Sequence, residues 1–220
     1  MKNAKKQYVV VGLGRFGRSV AETLYQQGGE VLAIDRRQDL VEDIRDSVTQ
    51  AVQADAMDED VLKALGIANF DAAIVTIGSD IRSSGMITML MKELGVRNVI
   101  AKAHDEIHGR MLEKLGADKV VYPERYMGQR IAHNLLDGNI MDFIEVSPDY
   151  SMAEVQVLPE WCGKPLSALN LRERMGMNII AVRTGESVNA QPGASTVLYK
   201  GDVLLVMAGE DTLRKIRKMR

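Results

Sequence analysis

The segment Gly12-Leu13-Gly14-Arg15-Phe16-Gly17 places three glycines at the spacing G-x-G-x-x-G, directly after the apolar run Tyr8–Val11 and at the start of a stretch of helical period. Each glycine answers a separate demand. Gly12 allows a tight turn, Gly14 leaves bare backbone that a phosphate can approach, and Gly17 lets the helix lie against the strand. The helix start adds unpaired N–H groups and a partial positive charge, which favour an anion. Eighteen residues past Gly17, after a second apolar run, stands Asp35, a carboxylate placed to accept from two ribose hydroxyls. These pieces together make a nucleotide site. Arg15 adds a guanidinium in the first turn, a charge-assisted contact worth about 1.5–3 kcal/mol when partly desolvated. It suits a ligand whose negative charge extends past a diphosphate. Asp35 repels a 2′-phosphate and so argues against NADP, although Arg36 and Arg37 directly after it offer such a phosphate a partner.

The residues 1–138 repeat one rhythm, a short apolar run followed by a turn and a stretch of helical period. The runs are Tyr8–Val11, Glu30–Ile34, Gln50–Ala54, Asp71–Ile77, Asn98–Lys102 and Asp118–Tyr122. They are apolar at nearly every position, as strands of a parallel sheet covered on both faces must be. Helices are expected at Arg15–Gln27, Asp39–Ser47, Asp58–Leu65, Asp80–Leu94 and Asp105–Leu115; Gly66, Gly95 and Gly116 follow a leucine where a helix must stop. In a doubly wound sheet ligands sit at the carboxyl ends of strands, so Asp55 and Ala56, Ile77, Gly78 and Ser79, Lys102, and Glu124 join the candidate pocket. Lys102 is a second phosphate partner in this reading. From residue 139 the rhythm changes. Strands are expected at Asp142–Ser147, Ala153–Leu158, Asn178–Arg183, Ser187–Ala190, Thr196–Tyr199 and Val203–Met207, with helices at Ser167–Met175 and from Asp211. The fold class is therefore α/β, a Rossmann-like doubly wound parallel sheet over 1–138, with a second, smaller α+β domain over 139–220.

The 220 residues are 46% apolar and 26% charged, with 28 Lys plus Arg against 30 Asp plus Glu. That balance gives no overall electrostatic footprint for nucleic acid, and the basic residues of the final helix suit its C-terminal dipole. The longest apolar run, Val203–Ala208, is too short to cross a bilayer. Lys2, Lys5 and Lys6 precede a strand-like run and no apolar leader core, and the single Cys162 has no internal disulfide partner, so a cytoplasmic location is expected. A nicotinamide oxidoreductase needs an acid–base group beside the reacting carbon, and the expected second domain has no histidine. His104 and His108 stand four apart, as two metal ligands on one helix face do, but no third ligand is evident. Catalysis is not expected.

The glycine loop, Asp35, Ala54-Asp55-Ala56, Thr76-Ile77-Gly78, the Lys102 strand and the stretch from Tyr122-Pro123-Glu124 to Met127-Gly128 together resemble the RCK domain of Ktr/Trk-type potassium-uptake regulatory subunits. The stretches Asn170-Leu171-Arg172, Asn178-Ile179-Ile180 and Lys200-Gly201-Asp202 resemble the C-terminal domain of the same proteins, so the likeness covers essentially the whole chain. The resemblance implies a gating ring at the inner face of the membrane, dimers assembling into an octamer, docked on a separate potassium-translocating subunit. It implies that ATP replacing ADP changes conduction, with NAD or NADH as the alternative ligand. It places the nucleotide on Gly12, Gly14, Phe16 and Gly17, lets Arg15 reach the terminal phosphate, often of a neighbouring copy's ligand, and has Asp35 hold the ribose. It makes Glu124 a contributor to a divalent-cation site, Mg or Ca, between two facing nucleotides. It also implies cyclic di-AMP in the second domain, with Arg172 on phosphate, Asn178 on a polar edge and Leu171, Ile179 and Pro192 flanking adenine. No histidine stands near Thr184-Gly185, where that second site would call for one.

Overall fold

The computed structural model describes residues 5–78, 80–136, 140–147 and 149–219. The chain divides into two compact units, Met1–Glu124 and Arg125–Arg220. The expected boundary at 138 and the candidate Ser79 lie outside the described residues.

In the first unit six strands, β1 (Gln7–Val11), β2 (Glu30–Asp35), β3 (Gln50–Gln53), β4 (Ala72–Val75), β5 (Asn98–Lys102) and β6 (Lys119–Val121), form one sheet in the order β3-β2-β1-β4-β5-β6. Every neighbouring pair is parallel. Side chains alternate across the pleat, so one strand feeds two cores. Val9 and Val11 of β1 pack with Leu32, Ile34 and Val75 on one face, while Val10 packs with Val31, Ala33 and Ile74 on the other. The helices α1 (Arg15–Gln26) and α2 (Gln38–Ile44) close the second face through Ala21, Val41 and Ile44. The helices α3 (Glu59–Ala64), α4 (Ile81–Glu93) and α5 (Glu106–Lys114) close the first through Leu62, Ile87, Met91 and Leu112. The order of the strands therefore reverses between β1 and β4, where the connections leave for opposite faces and a crevice opens at the carboxyl ends.

Local chemistry sets the helix ends. Asp58, Asp80 and Asp105 each accept a backbone N–H of the first turn that follows, a cap worth about 1 kcal/mol. Gly66, Gly95 and Gly116 take φ of 69°, 91° and 99°, the left-handed turn that ends each helix without a Cβ clash.

His108, on α5, is 1% exposed; its Nδ1 accepts the His104 N–H at 3.2 Å, and its buried Nε2 has no hydrogen-bond partner among the described residues. Burial pushes the imidazole below its ordinary pKa. The unfolded chain then binds a proton more readily than the folded one. Stability should be complete above the ordinary value of about 6.5 and fall as pH drops through it, at up to about 1.4 kcal/mol per pH unit. Chemical denaturation at pH 7.5, 6.5 and 5.5 should show this slope, and His108→Asn should flatten it. An unchanged slope in the variant would remove His108 as the cause.

The second unit holds a five-stranded antiparallel sheet, β10-β9-β11-β8-β7, made of β7 (Ile140–Ser147), β8 (Tyr150–Gln156), β9 (Asn178–Thr184), β10 (Ser187–Asn189) and β11 (Val203–Gly209). Alternate residues Ser151, Ala153 and Val155 of β8 are buried, and the inner face packs against Leu213 and Ile216 of α9 (Glu210–Lys218). The helix α6 (Pro123–Leu136) starts at the end of the first unit and continues into the second. Two expectations need correction. Thr196–Tyr199 is not a strand: it meets the loop at Gly163–Leu166 through one bridge, Pro165 to Val197, and the ladder stops on either side because the Lys164 N–H turns back to the Trp161 carbonyl and the Thr196 N–H to that of Gly193. The single helix over Ser167–Met175 is two, α7 (Leu166–Leu169) and α8 (Leu171–Met175), broken where Asn170 takes φ 44° and its side chain bonds Glu173 instead.

Candidate nucleotide site

The glycine loop joins β1 to α1 at the reversal of strand order. Gly12 has φ +92°, and a Cβ there would come within 3.0 Å of Thr76 Oγ1 and Ile77 Cγ1. A Cβ on Gly17 would fall 1.9 Å from the Gly12 carbonyl oxygen and 2.4 Å from Thr76 Oγ1. The buried Thr76 hydroxyl donates to the Gly12 carbonyl at 2.6 Å, so β4 clamps the loop from behind. Gly14 is different. It is exposed, and a Cβ on it would meet nothing within 4 Å, so its backbone faces open space. No side chain caps α1 and no acid stands in its first turn, which leaves its positive end to an anion.

Asp35, at the end of β2, accepts the Leu13 N–H on one carboxylate oxygen at 2.7 Å and the Arg37 N–H on the other at 2.9 Å. The carboxylate is a strut that ties the loop to β2. An ionised carboxylate has about four acceptor positions, so two remain for ribose hydroxyls. Arg37 is itself paired with Asp39, which removes one of the two arginines available to a 2′-phosphate.

Gly12, Gly14, Asp35, Thr76, Ile77, Gly78, Ile81, Lys102, His104 and Glu124 line one cleft of about 680 Å³, within the ordinary range for small-ligand sites. A narrower recess shares Gly12, Asp35 and Ile77 with it and is walled by Val11, Ile34, Ala54, Ala56, Met57 and Ile87, with Asp55 and Arg36 alongside. Its apolar walls suit a flat base. On the far side the Lys102 ammonium is paired with Glu124 and lies 5.9 Å from the centroid of the half-buried Phe16 ring, at the outer limit of a cation–π contact. The hydrogen bond from Lys102 holds the Glu124 carboxyl below the usual range.

The expected site residues thus separate into groups. Gly12, Gly14, Asp35, Ile77, Gly78, Lys102 and Glu124 share the cleft, and Asp55 and Ala56 share the recess. Arg15 is exposed at the first position of α1 and lines neither, while Gly17 is buried in the loop's support. Ile81 and His104 also line the cleft and were not anticipated as its walls. His104 stands two beyond Lys102 at the carboxyl end of β5, where the same strand-end rule reaches it, whereas Ile81 is the first residue of α4, six beyond the end of β4, and has no such signal. His108 Nδ1 accepts the His104 backbone N–H, and among the described residues no third metal-ligating side chain joins the pair. Among the described residues no three His, Cys, Asp or Glu side chains converge to hold a metal, and the Glu124 carboxylate is paired with Lys102. In the second unit Leu171 is buried in the core, Ile179 packs half-buried against it, Arg172 and Asn178 are exposed, and Pro192 is half-buried between β10 and β11.

The TrkA-N domain family matches residues 8–123 and the TrkA-C domain family residues 152–219. Ktr system potassium uptake protein C of Bacillus subtilis is 39% identical over 97% of this chain and 97% of its own length. Ktr system potassium uptake protein A of Vibrio alginolyticus is 36% identical, again over 97% of each. The solved GsuK channel bound to NAD superposes with a TM-score of 0.67 at 20% identity, covering all of this chain and 40% of that one; the chain spans less than half of that channel subunit. Among the described residues no helix is long and apolar enough to cross a membrane. With a parallel nucleotide-type sheet, an antiparallel second unit and near-full-length identity to both Ktr proteins, the chain belongs to the family of RCK-type regulatory subunits of Ktr potassium uptake systems.

Proposed function

We propose that this chain is a cytoplasmic nucleotide sensor without catalytic turnover. It assembles with copies of itself, as dimers building an octameric ring, docks on a potassium-translocating membrane subunit of Ktr/Trk type, and alters conduction according to whether ATP or ADP occupies the glycine loop. The observation that carries this reading is the convergence of the loop, the Asp35 strut and Lys102 on one cleft of about 680 Å³. A ligand shifts a ring between two shapes only if it binds one better than the other. ATP and ADP differ in the terminal phosphate alone, so the switch belongs to whatever reaches it. Arg15, exposed at the start of α1, suits a phosphate beyond the diphosphate, on its own ligand or a neighbouring copy's. Self-association is supported by α6, which exposes Tyr126, Met127, Ile131 and Leu135, an apolar stretch typical of an interface. NAD or NADH is the second reading, since the same loop and carboxylate serve a dinucleotide and the GsuK channel of this fold binds NAD.

Calorimetry of the purified chain with ATP, ADP, NADH and cyclic di-AMP, paired with small-angle scattering of each complex, tests this. ATP and ADP should both bind and give different ring shapes, and Arg15→Ala should narrow that difference while sparing ADP affinity within about threefold. Equal switching in the variant would remove Arg15 from the mechanism. Binding of no adenine nucleotide would end the reading, and turnover of NADH with a carbonyl substrate would replace it with an oxidoreductase.

A further inference from the structure

Lys102 is held tightly for a lysine. Its side chain is 14% exposed, and its Cε and Nζ lie against Gly78, where a Cβ would come within 3.3 Å of both. Its ammonium is paired with Glu124, whose own side chain is 71% exposed in the first turn of α6. Both groups line the cleft that contains Gly12 and Gly14. A phosphate entering that cleft meets a cation whose charge is already answered by Glu124, and must displace that carboxylate to reach it. Lysine is a compact charge on a flexible stem, able to turn from one anion to another without backbone movement.

We infer that Lys102 and Glu124 form a gate on phosphate entry: Glu124 holds the ammonium while the cleft lacks an anion, and a phosphorylated ligand takes Lys102 over and releases the carboxylate. This rests on the nucleotide reading and deepens it. Glu124 becomes a group that opposes binding, and Lys102 the one that separates phosphorylated ligands from bare nucleosides. The released charge stands on the first turn of α6, the helix that runs from the first unit into the second.

Calorimetry of the full chain in EDTA, so that no divalent cation takes part, tests the gate with ADP and adenosine on wild type, Glu124→Gln, Lys102→Met and the double variant. Glu124→Gln should bind ADP about three- to tenfold tighter, the coupling expected of groups in direct contact. Lys102→Met should bind ADP at least about tenfold more weakly, the loss of one charge-assisted bond. The double variant should match Lys102→Met, and adenosine should bind all four alike. Lys102→Arg, which keeps the charge, guards against a folding defect in the methionine variant and should retain the response to Glu124→Gln. ADP binding to Glu124→Gln no tighter than to wild type, a gain shared by adenosine, or a gain that persists without Lys102 would overturn the gate. If wild type binds ADP and only these differences fail, the gate alone falls; if wild type binds no adenine nucleotide, the nucleotide reading falls with it.

Discussion

Gly17→Ala should lower the melting temperature of the chain by about 5–10 °C, the consequence of an overpacked core costing about 1–3 kcal/mol or more, and should abolish measurable ADP binding. The added methyl would sit 1.9 Å from the Gly12 carbonyl oxygen and 2.4 Å from Thr76 Oγ1. Neither can retreat cheaply, because the first is backbone and the second is buried and bonded to that same carbonyl. Helix α1 must therefore move away from β1, and the loop moves with it. Gly14→Ala is the informative partner. Its φ of −63° suits any residue and its Cβ meets nothing within 4 Å, so its melting temperature should stay at the wild-type value. Its ADP affinity should still fall, by about tenfold, because the methyl occupies the approach to bare backbone. Scanning calorimetry and titration calorimetry on the two variants separate support of the loop from contact with the ligand. A Gly17→Ala protein that melts like wild type would show that the close approach of helix and strand is not what holds the loop.

Asp35→Ala should weaken ADP binding by about 10- to 150-fold, the range for one lost hydrogen bond to a charged acceptor, and should destabilise the ligand-free chain as well. The second effect follows from the strut. Both carboxylate oxygens accept backbone N–H groups, of the buried Leu13 and of the exposed Arg37, so removal leaves the Leu13 donor without its partner before any ligand is considered. Asp35→Asn distinguishes the two roles poorly in charge but well in geometry. An amide has one acceptor oxygen, and its NH2 group faces a second donor, so one N–H must lose its partner. Asn should then fall between Asp and Ala in stability. An Asp35→Asn protein with wild-type melting and wild-type affinity would mean that neither the strut nor the ribose contact is used.

How much of this was legible beforehand differs by region, for physical reasons. The first unit repeats a local rule: a run apolar at nearly every position is a strand buried on both faces, and a Leu-Gly pair ends a helix. The expected runs at Tyr8–Val11, Glu30–Ile34 and Asn98–Lys102 match β1, β2 and β5 within a residue or two. The second unit obeys no such repetition. The pairing of Thr196–Tyr199 stops after one bridge, where the Lys164 and Thr196 N–H groups turn to local carbonyls, and Asn170 divides one expected helix into two. Each outcome depends on a partner segment about 30 residues away or on a side chain that competes for backbone, and neither shows in periodicity.

The candidate site divides in the same way. From residue order alone came the glycine loop, Asp35 as its acidic companion, the strand ends that wall the cleft and the family to which the chain belongs, because tight turns, helix starts and strand ends are dictated by residue type over short spans. Tertiary structure decided what those groups do to one another. That Asp35 braces Leu13, that Thr76 clamps Gly12, that Lys102 is already answered by Glu124, and that Arg15 stands outside the cleft all involve residues brought together across the sheet. Charge and hydrogen-bond pairing between distant residues depends on strand order, and strand order is a property of the folded sheet as a whole.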